Sequence, residues 1–187
     1  MIASEVHNAL SFLEKGKIFL YPTDTVWGIG CDATNEKAVA KIFRIKQREE
    51  SKSLIILVDS LEMLQNYVEF IPKKALEILR ESKKPTTIIY KKPKDLAENC
   101  IAKDHTIAIR IVQNEFCQEL IRQFGKPIIS TSANISGAPT PKSFSEISNT
   151  ILDSVDYVVN LQQQKITGAS SKILRITDTN EVEVIRE

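Results

Sequence analysis

Hydrophobic and polar positions along the chain switch between helical and strand periods, with no internal repeat and no Gly/Ser/Pro-rich linker. Behind Ser4, the positions Val6, Ala9, Leu10 and Leu13 recur at helical spacing, predicting a helix capped by Ser4 and ended by Gly16. Apolar runs then predict strands over 18–21 and 26–31, followed by a helix opening at Asn35 with Ala38, Val39, Ile42 and Phe43 inward. Leu54 to Val58 reads as the clearest core strand, and short helices follow over 60–67 and 72–81. Strands are expected at 86–90 and 106–111, a helix from Asn114 to Phe124 stopping at Gly125, and a short strand at Ile128 and Ile129. Ser143 and Glu146 have capping-box spacing for a helix reaching Leu152. Three strands close the chain at 155–160, 171–177 and 181–185, the last two joined by Asp178-Thr179-Asn180. Interleaved strands and helices predict an α/β, α+β-like fold in a single domain over 1–187, with one twisted mixed sheet flanked by helices.

Length and composition agree with that picture: 187 residues, 42% hydrophobic, 26% charged. No apolar run is long enough for a transmembrane helix, and no signal-type segment opens the chain, so a cytoplasmic protein with no membrane association is expected. Three well-separated cysteines and two histidines argue against a zinc site, and no metal ligands are assigned. The formal net charge of +1 excludes a protein that coats polyanions wholesale. The charge is nonetheless uneven: 17 basic against 12 acidic residues between Lys41 and Lys126, and 4 against 7 between Glu146 and Glu187. The lysines among 73–94 read first as a solvated face.

Two strand exits carry chemistry. Pro22-Thr23-Asp24-Thr25 follows the first strand, and Ser130-Thr131-Ser132-Ala133-Asn134, running on to Thr140, follows Ile128-Ile129. Ligands of open α/β sheets bind outside such carboxyl ends, though the same residues also serve ordinary turns. Lys46, Arg48 and Lys52 fall where a helix yields to a loop and can point back over the sheet edge. Each cation–phosphate pair at ~4 Å gains about 4 kcal/mol at an effective dielectric of ~20, before desolvation. Arg110 interrupts an apolar strand and needs a carboxylate, from the protein or from a substrate. The chain lacks G-x-x-x-x-G-K-[ST], G-x-G-x-x-G and G-x-S-x-G, which removes the P-loop, dinucleotide-binding and hydrolase-elbow readings. What is left suits phosphoryl or nucleotidyl chemistry by positioning and charge stabilisation.

Taken in order, Pro22-Thr23-Asp24-Thr25-Val26-Trp27-Gly28-Ile29-Gly30, Lys46-x-Arg48 and Ser132-x-Asn134 within Ser-Ala-Asn-x-Ser-Gly resemble the YrdC/TsaC family of threonylcarbamoyl-AMP synthases, in its short form. The resemblance implies a twisted mixed sheet around a large, concave, electropositive cavity. It also implies a nucleotidyltransferase reaction: L-threonine, bicarbonate and ATP, with magnesium accompanying the ATP, give threonylcarbamoyl-AMP and pyrophosphate. The product would pass to the proteins that move the threonylcarbamoyl group onto tRNA beside the anticodon, and no tightly bound organic cofactor is implied. Carried over by motif, Thr25, Arg110 and Ser130 contact threonine, with Arg110 on its carboxylate. Lys46 and Arg48 are the catalytic cations on the nucleotide phosphates, with Lys52 nearby. Thr106, Ser132, Asn134, Thr140 and Ser170 contact ATP. The sequence departs from the family pattern at Glu49, where proline is common, and at Leu57, where some members have a threonine-contacting histidine. Two rivals stay open: a non-catalytic module binding tRNA or double-stranded RNA, testable by salt-steep affinity, and a related carbamoyl-adenylate enzyme using carbamoyl phosphate.

Overall fold

The computed structural model describes residues 1–49 and 54–187. Among these residues nine strands form one mixed sheet: β1 (Phe19–Tyr21), β2 (Gly28–Gly30), β3 (Ile55–Val58), β4 (Thr86–Lys91), β5 (Thr106–Ile111), β6 (Ile128–Ser132), β7 (Tyr157–Val158), β8 (Lys172–Ile176) and β9 (Val182–Arg186). Their order across the sheet is β7-β1-β2-β6-β3-β5-β4-β8-β9. The pairs β1/β7, β3/β5 and β4/β8 are parallel and the rest antiparallel. The expected mixed sheet is therefore present, and β8 and β9 form the expected hairpin.

Six α-helices among the described residues connect the strands: α1 (Ile2–Glu14), α2 (Glu36–Lys46), α3 (Leu61–Tyr67), α4 (Lys73–Glu81), α5 (Glu115–Phe124) and α6 (Asn149–Leu152). Caps set several ends. The Asn35, Ser60 and Asn114 side chains accept the backbone N–H of Ala38, Met63 and Cys117. Gly125 closes α5 in the left-handed region, φ 72°. Two cap expectations are corrected. The first helix starts at Ile2 rather than behind Ser4, because Ile2 packs on the same apolar cluster as Val6, Ala9 and Leu13. Ser143 caps nothing: its hydroxyl meets that of Ser145, and Glu146 accepts from the Lys142 N–H, so a 3₁₀ turn at Phe144–Glu146 replaces the first turn of the expected helix.

Strand alternation sorts side chains to two faces. On one face Leu20, Ile29, Ile56, Ile88, Ile107, Ile109 and Ile129 pack against residues from α2, α3, α4 and α6. On the other, Phe19, Tyr21, Leu57 and Ile128 pack under α1 and α5. These two helices cover only part of the second face. From β2 across to β8 that face instead carries Gly28, Ser130, Ile55, Ala108, Arg110, Ile89 and Ile173, which line an open cavity. Tyr21 buttresses its edge: the hydroxyl donates to Ile129 O at 3.0 Å. A Cβ on Gly30 would lie 2.6 Å from Ile129 O and 2.7 Å from the Tyr21 ring, so only glycine fits beneath that ring.

Candidate functional site

The cavity has a volume of about 260 Å³. Both strand exits singled out in the sequence reach it, because β1 and β6 leave the sheet on the same side of the intervening antiparallel β2. Its lining contains Thr25 from the first loop, Ser130, Thr131 and Ser132 from β6, and Thr140 beyond it. β6 runs on through Ser132, further than the two residues the apolar run predicted, so these hydroxyl side chains sit on a strand instead of a loop.

Arg110 is 3% exposed and supplies a charge on the cavity wall. Its Nη2 donates to Asp24 Oδ1 at 3.0 Å and to Thr25 Oγ1 at 3.3 Å. Asp24 is also held from its other side, where Oδ2 accepts the Gln113 N–H at 3.0 Å. The protein carboxylate is thus Asp24, and it orients the guanidinium. Arg110 Nε is buried with no hydrogen-bond partner among the described residues.

Helix α2 ends at Lys46, and the next residue, Gln47, turns left-handed with φ 49°. That turn sends Lys46 and Arg48 in different directions. Arg48 lines the cavity, half-buried, and burial lowers its pKa. Lys46 is only 2% exposed and does not line the cavity; its Nζ donates to Ser132 O at 2.6 Å and Asn134 O at 2.7 Å. Burial, reinforced by the charge of Arg48, lowers the Lys46 pKa to about 8. Lys46 therefore ties the end of α2 to the exit of β6. Asn134 is also turned inward to its own loop: its amide donates to Ala138 O at 2.7 Å and Ile135 O at 3.2 Å.

Ser170 lines the cavity as expected. Thr106 shares a sheet face with Arg110 but opens on an adjoining groove with Asp104 and Arg175, its hydroxyl donating to Asp104 Oδ1 at 2.7 Å. Lys52 lies outside the described residues. On the lysine-rich segment 73–94, Lys74, Lys91 and Lys92 pair at the surface with Glu77, Asp178 and Glu69.

Sequence reasoning missed Arg186. It lies on β9, where the run Val182 to Arg186 reads as an exposed edge, yet it lines the cavity. Its Nε and Nη2 both donate to Ser171 O, at 2.9 and 2.7 Å, and Ser171 Oγ meets Thr87 Oγ1 at 2.8 Å. Burial and the charge of Arg110 lower its pKa. The one available signal was the basic residue itself, ending an otherwise apolar and acidic strand.

Arg48, Arg110 and Arg186 thus surround the cavity, and no carboxylate lines it among the described residues. Such a lining suits a ligand carrying several negative charges. Among the described residues no cluster of three or more His, Cys, Asp or Glu could hold a metal ion, and no helix is long and apolar enough to cross a membrane.

An open mixed α/β sheet whose uncovered face forms an arginine-lined cavity is the class of protein defined here. The chain belongs to the Sua5/YciO/YrdC family, whose model, described as telomere recombination, matches residues 11–187. It is 31% identical to the threonylcarbamoyl-AMP synthase of Photobacterium profundum, covering 97% of this chain and 98% of that one. It is 38% identical to a putative threonylcarbamoyl-AMP synthase of Methanocaldococcus jannaschii, covering 93% and 83%. Among solved structures it matches P. abyssi Sua5 complexed with L-threonine, with TM-score 0.83 and 27% identity. That match covers 97% of this chain and 53% of the Sua5 chain, so this protein spans about half of that structure.

Proposed function

We propose that this chain is an L-threonylcarbamoyladenylate synthase, a nucleotidyltransferase that makes threonylcarbamoyl-AMP and pyrophosphate from L-threonine, bicarbonate and ATP. The observation that carries this reading is the cavity: three arginines and a row of hydroxyls, with a buried arginine beside Thr25 at one wall and no lining carboxylate among the described residues. The names of the curated relatives and the threonine complex of Sua5 point to the same chemistry.

In this reading Arg110, held by Asp24, takes the threonine carboxylate, and Thr25 and Ser130 lie beside the amino acid. Arg48 and Arg186 meet the nucleotide phosphates, with Ser132, Thr140 and Ser170 as hydroxyl partners. Lys46 and Asn134 act through the loop they fasten. The threonine amine takes up bicarbonate with loss of water to give N-carboxythreonine. That carboxylate attacks the α-phosphorus of ATP, and pyrophosphate leaves as negative charge builds on it opposite the arginines. Magnesium enters with ATP as part of the substrate, carried by the phosphates, because the described lining offers no carboxylate to bind it. The product would serve threonylcarbamoyl transfer to tRNA beside the anticodon, in the cytoplasm.

The test is to incubate the purified protein with ATP, magnesium and bicarbonate, with and without L-threonine, and follow pyrophosphate. Release that requires both threonine and bicarbonate supports the reading. Release that ignores threonine, or none at all, refutes it.

A further inference from the structure

The hydroxyls of Thr23 and Thr25, 6% and 5% exposed, sit 3.0 Å apart beside Arg110. Counting their protons fixes which way each one points. Thr23 Oγ1 lies 2.7 Å from the Val26 carbonyl oxygen, which can only accept, so the single Thr23 proton is committed there. Thr23 Oγ1 also accepts the Thr25 N–H at 3.0 Å. Between the two hydroxyls, Thr25 must therefore donate and Thr23 accept, which fills both lone-pair sites of Thr23. Thr25 Oγ1 has now spent its proton, and Arg110 Nη2 occupies one of its lone pairs from 3.3 Å. What Thr25 has left for the cavity is one lone pair and no hydrogen. Its backbone is pinned as well, since Thr25 O accepts the Gly168 N–H at 3.1 Å.

We propose that Thr23 is a positioning residue that holds the Thr25 hydroxyl pointing away from the cavity, so that Thr25 receives the amino acid's α-amino group purely as an acceptor. The inference rests on the threonine-dependent reaction proposed above. Arg110 touches both Thr25 and, in that reading, the substrate carboxylate, which brings the neighbouring α-amine to Thr25. The direction matters chemically. An acceptor takes one amine N–H and leaves the nitrogen lone pair exposed, whereas a donor would occupy the lone pair. In the carboxylation step that lone pair forms the N–C bond, a C–O bond of bicarbonate breaks, and the departing hydroxide leaves as water with one amine proton. Thr23 never touches the substrate in this scheme, because all of its hydrogen-bonding capacity is used within the protein.

A double-mutant cycle separates this role from a structural one. L-Threonine affinity is measured by calorimetry for wild type, Thr25→Val, Thr23→Val, the double variant and Thr23→Ser, with a melting curve and ATP KM for each. The expected losses are ~10-fold for either valine variant and ~10-fold, not ~100-fold, for the pair, with ATP KM unchanged. Thr23→Ser keeps the hydroxyl and should bind threonine like wild type, which guards against a misfolded Thr23→Val. A second readout probes polarity directly. L-2-aminobutyrate and 2-oxobutyrate differ in whether the α-substituent can donate, and wild-type preference for the former should fall ~10-fold in Thr23→Val, where Thr25 is released to donate. Additive losses, a Thr23→Ser variant as weak as Thr23→Val, or an unchanged preference between the two probes would overturn the proposal. A wild-type protein that binds no threonine overturns the functional reading, and the proposal with it.

Discussion

Replacing Lys46 by methionine sets two opposing costs against each other. The ammonium is 2% exposed, and its pKa of about 8 lies some ~2.5 units below the ordinary lysine value, a penalty of about 3 kcal/mol on the charged form. Methionine removes that penalty in a side chain of similar length. It also strips the donor from Ser132 O and Asn134 O, and each buried acceptor left unpaired costs about 1–3 kcal/mol. The two effects largely offset, so Lys46→Met should change the unfolding free energy at pH 7 by no more than about 3 kcal/mol.

Raising the pH breaks the balance in a direction fixed by linkage. Below pH 8 the lysine is protonated in both folded and unfolded chains, and the folded state carries the full penalty. Between about 8 and 10.5 the unfolded chain holds a proton that the folded chain has released, so stability rises with pH. Wild type should therefore gain about 2–3 kcal/mol over Lys46→Met between pH 7 and 10. Denaturant unfolding of both proteins at each pH gives this difference, in which the other titrating groups cancel. A flat difference would refute the argument, because it would mean the two carbonyls stabilise the ammonium as much as burial penalises it. Turnover tells a separate story: with the β6 exit unfastened, Ser132 shifts, and a displacement of ~1 Å costs ~10²-fold in pyrophosphate release.

Three further variants probe the arginines and the sheet. Arg110→Lys loses the paired contacts to Asp24 and Thr25 and should raise the threonine KM by ~10-fold or more with little change for ATP; equal changes in both would make Arg110 structural. Arg186→Ala should instead raise the ATP KM by ~10-fold and leave threonine nearly alone, since its guanidinium sits on Ser171 at the cavity wall; a null effect on ATP kinetics would remove it from the phosphate site. Gly30→Ala places a methyl 2.6 Å from Ile129 O, and chemical denaturation should show a loss of about 1–3 kcal/mol, with an unchanged midpoint refuting the close fit.

Most elements were legible because burial leaves a periodic trace. The helix ends read at Asn35, Asn114 and Gly125 are those of α2 and α5, and the helix read over 60–67 is α3, capped by Ser60. Thr106, Ala108 and Arg110 share one face by strand alternation, but alternation does not reveal that this face lacks a helical cover, which depends on where α1 and α5 dock. The separation of Lys46 from Arg48 was hidden for a local reason. It arises from a left-handed Gln47, and glutamine carries none of the signal that glycine would at that position. Arg186 was hidden for a global one: its partner Ser171 is brought to it by the β8/β9 hairpin, and its nearness to Arg110 needs β8, β4 and β5 side by side.

The distribution of charge explains how a nearly neutral chain can hold an anion site. A formal net charge of +1 creates little long-range field, so selection for anions must come from placement. Three arginines line the cavity while Asp24, the acid against Arg110, lies behind it with both oxygens already bonded. Asp24 therefore orients Arg110 from outside the cavity lining, where no carboxylate faces a ligand among the described residues. Arg186 is held the other way, by a main-chain carbonyl that carries no formal charge and so does not neutralise it. The two arginines differ accordingly in what they suit. The Asp24-neutralised guanidinium beside Thr25 matches a single carboxylate, and Arg186, fastened to the Ser170–Ser171 segment, matches the more highly charged phosphates. In the reaction proposed above, this division, and not the overall basicity of the chain, is what would let one hollow take both an amino acid and a nucleotide.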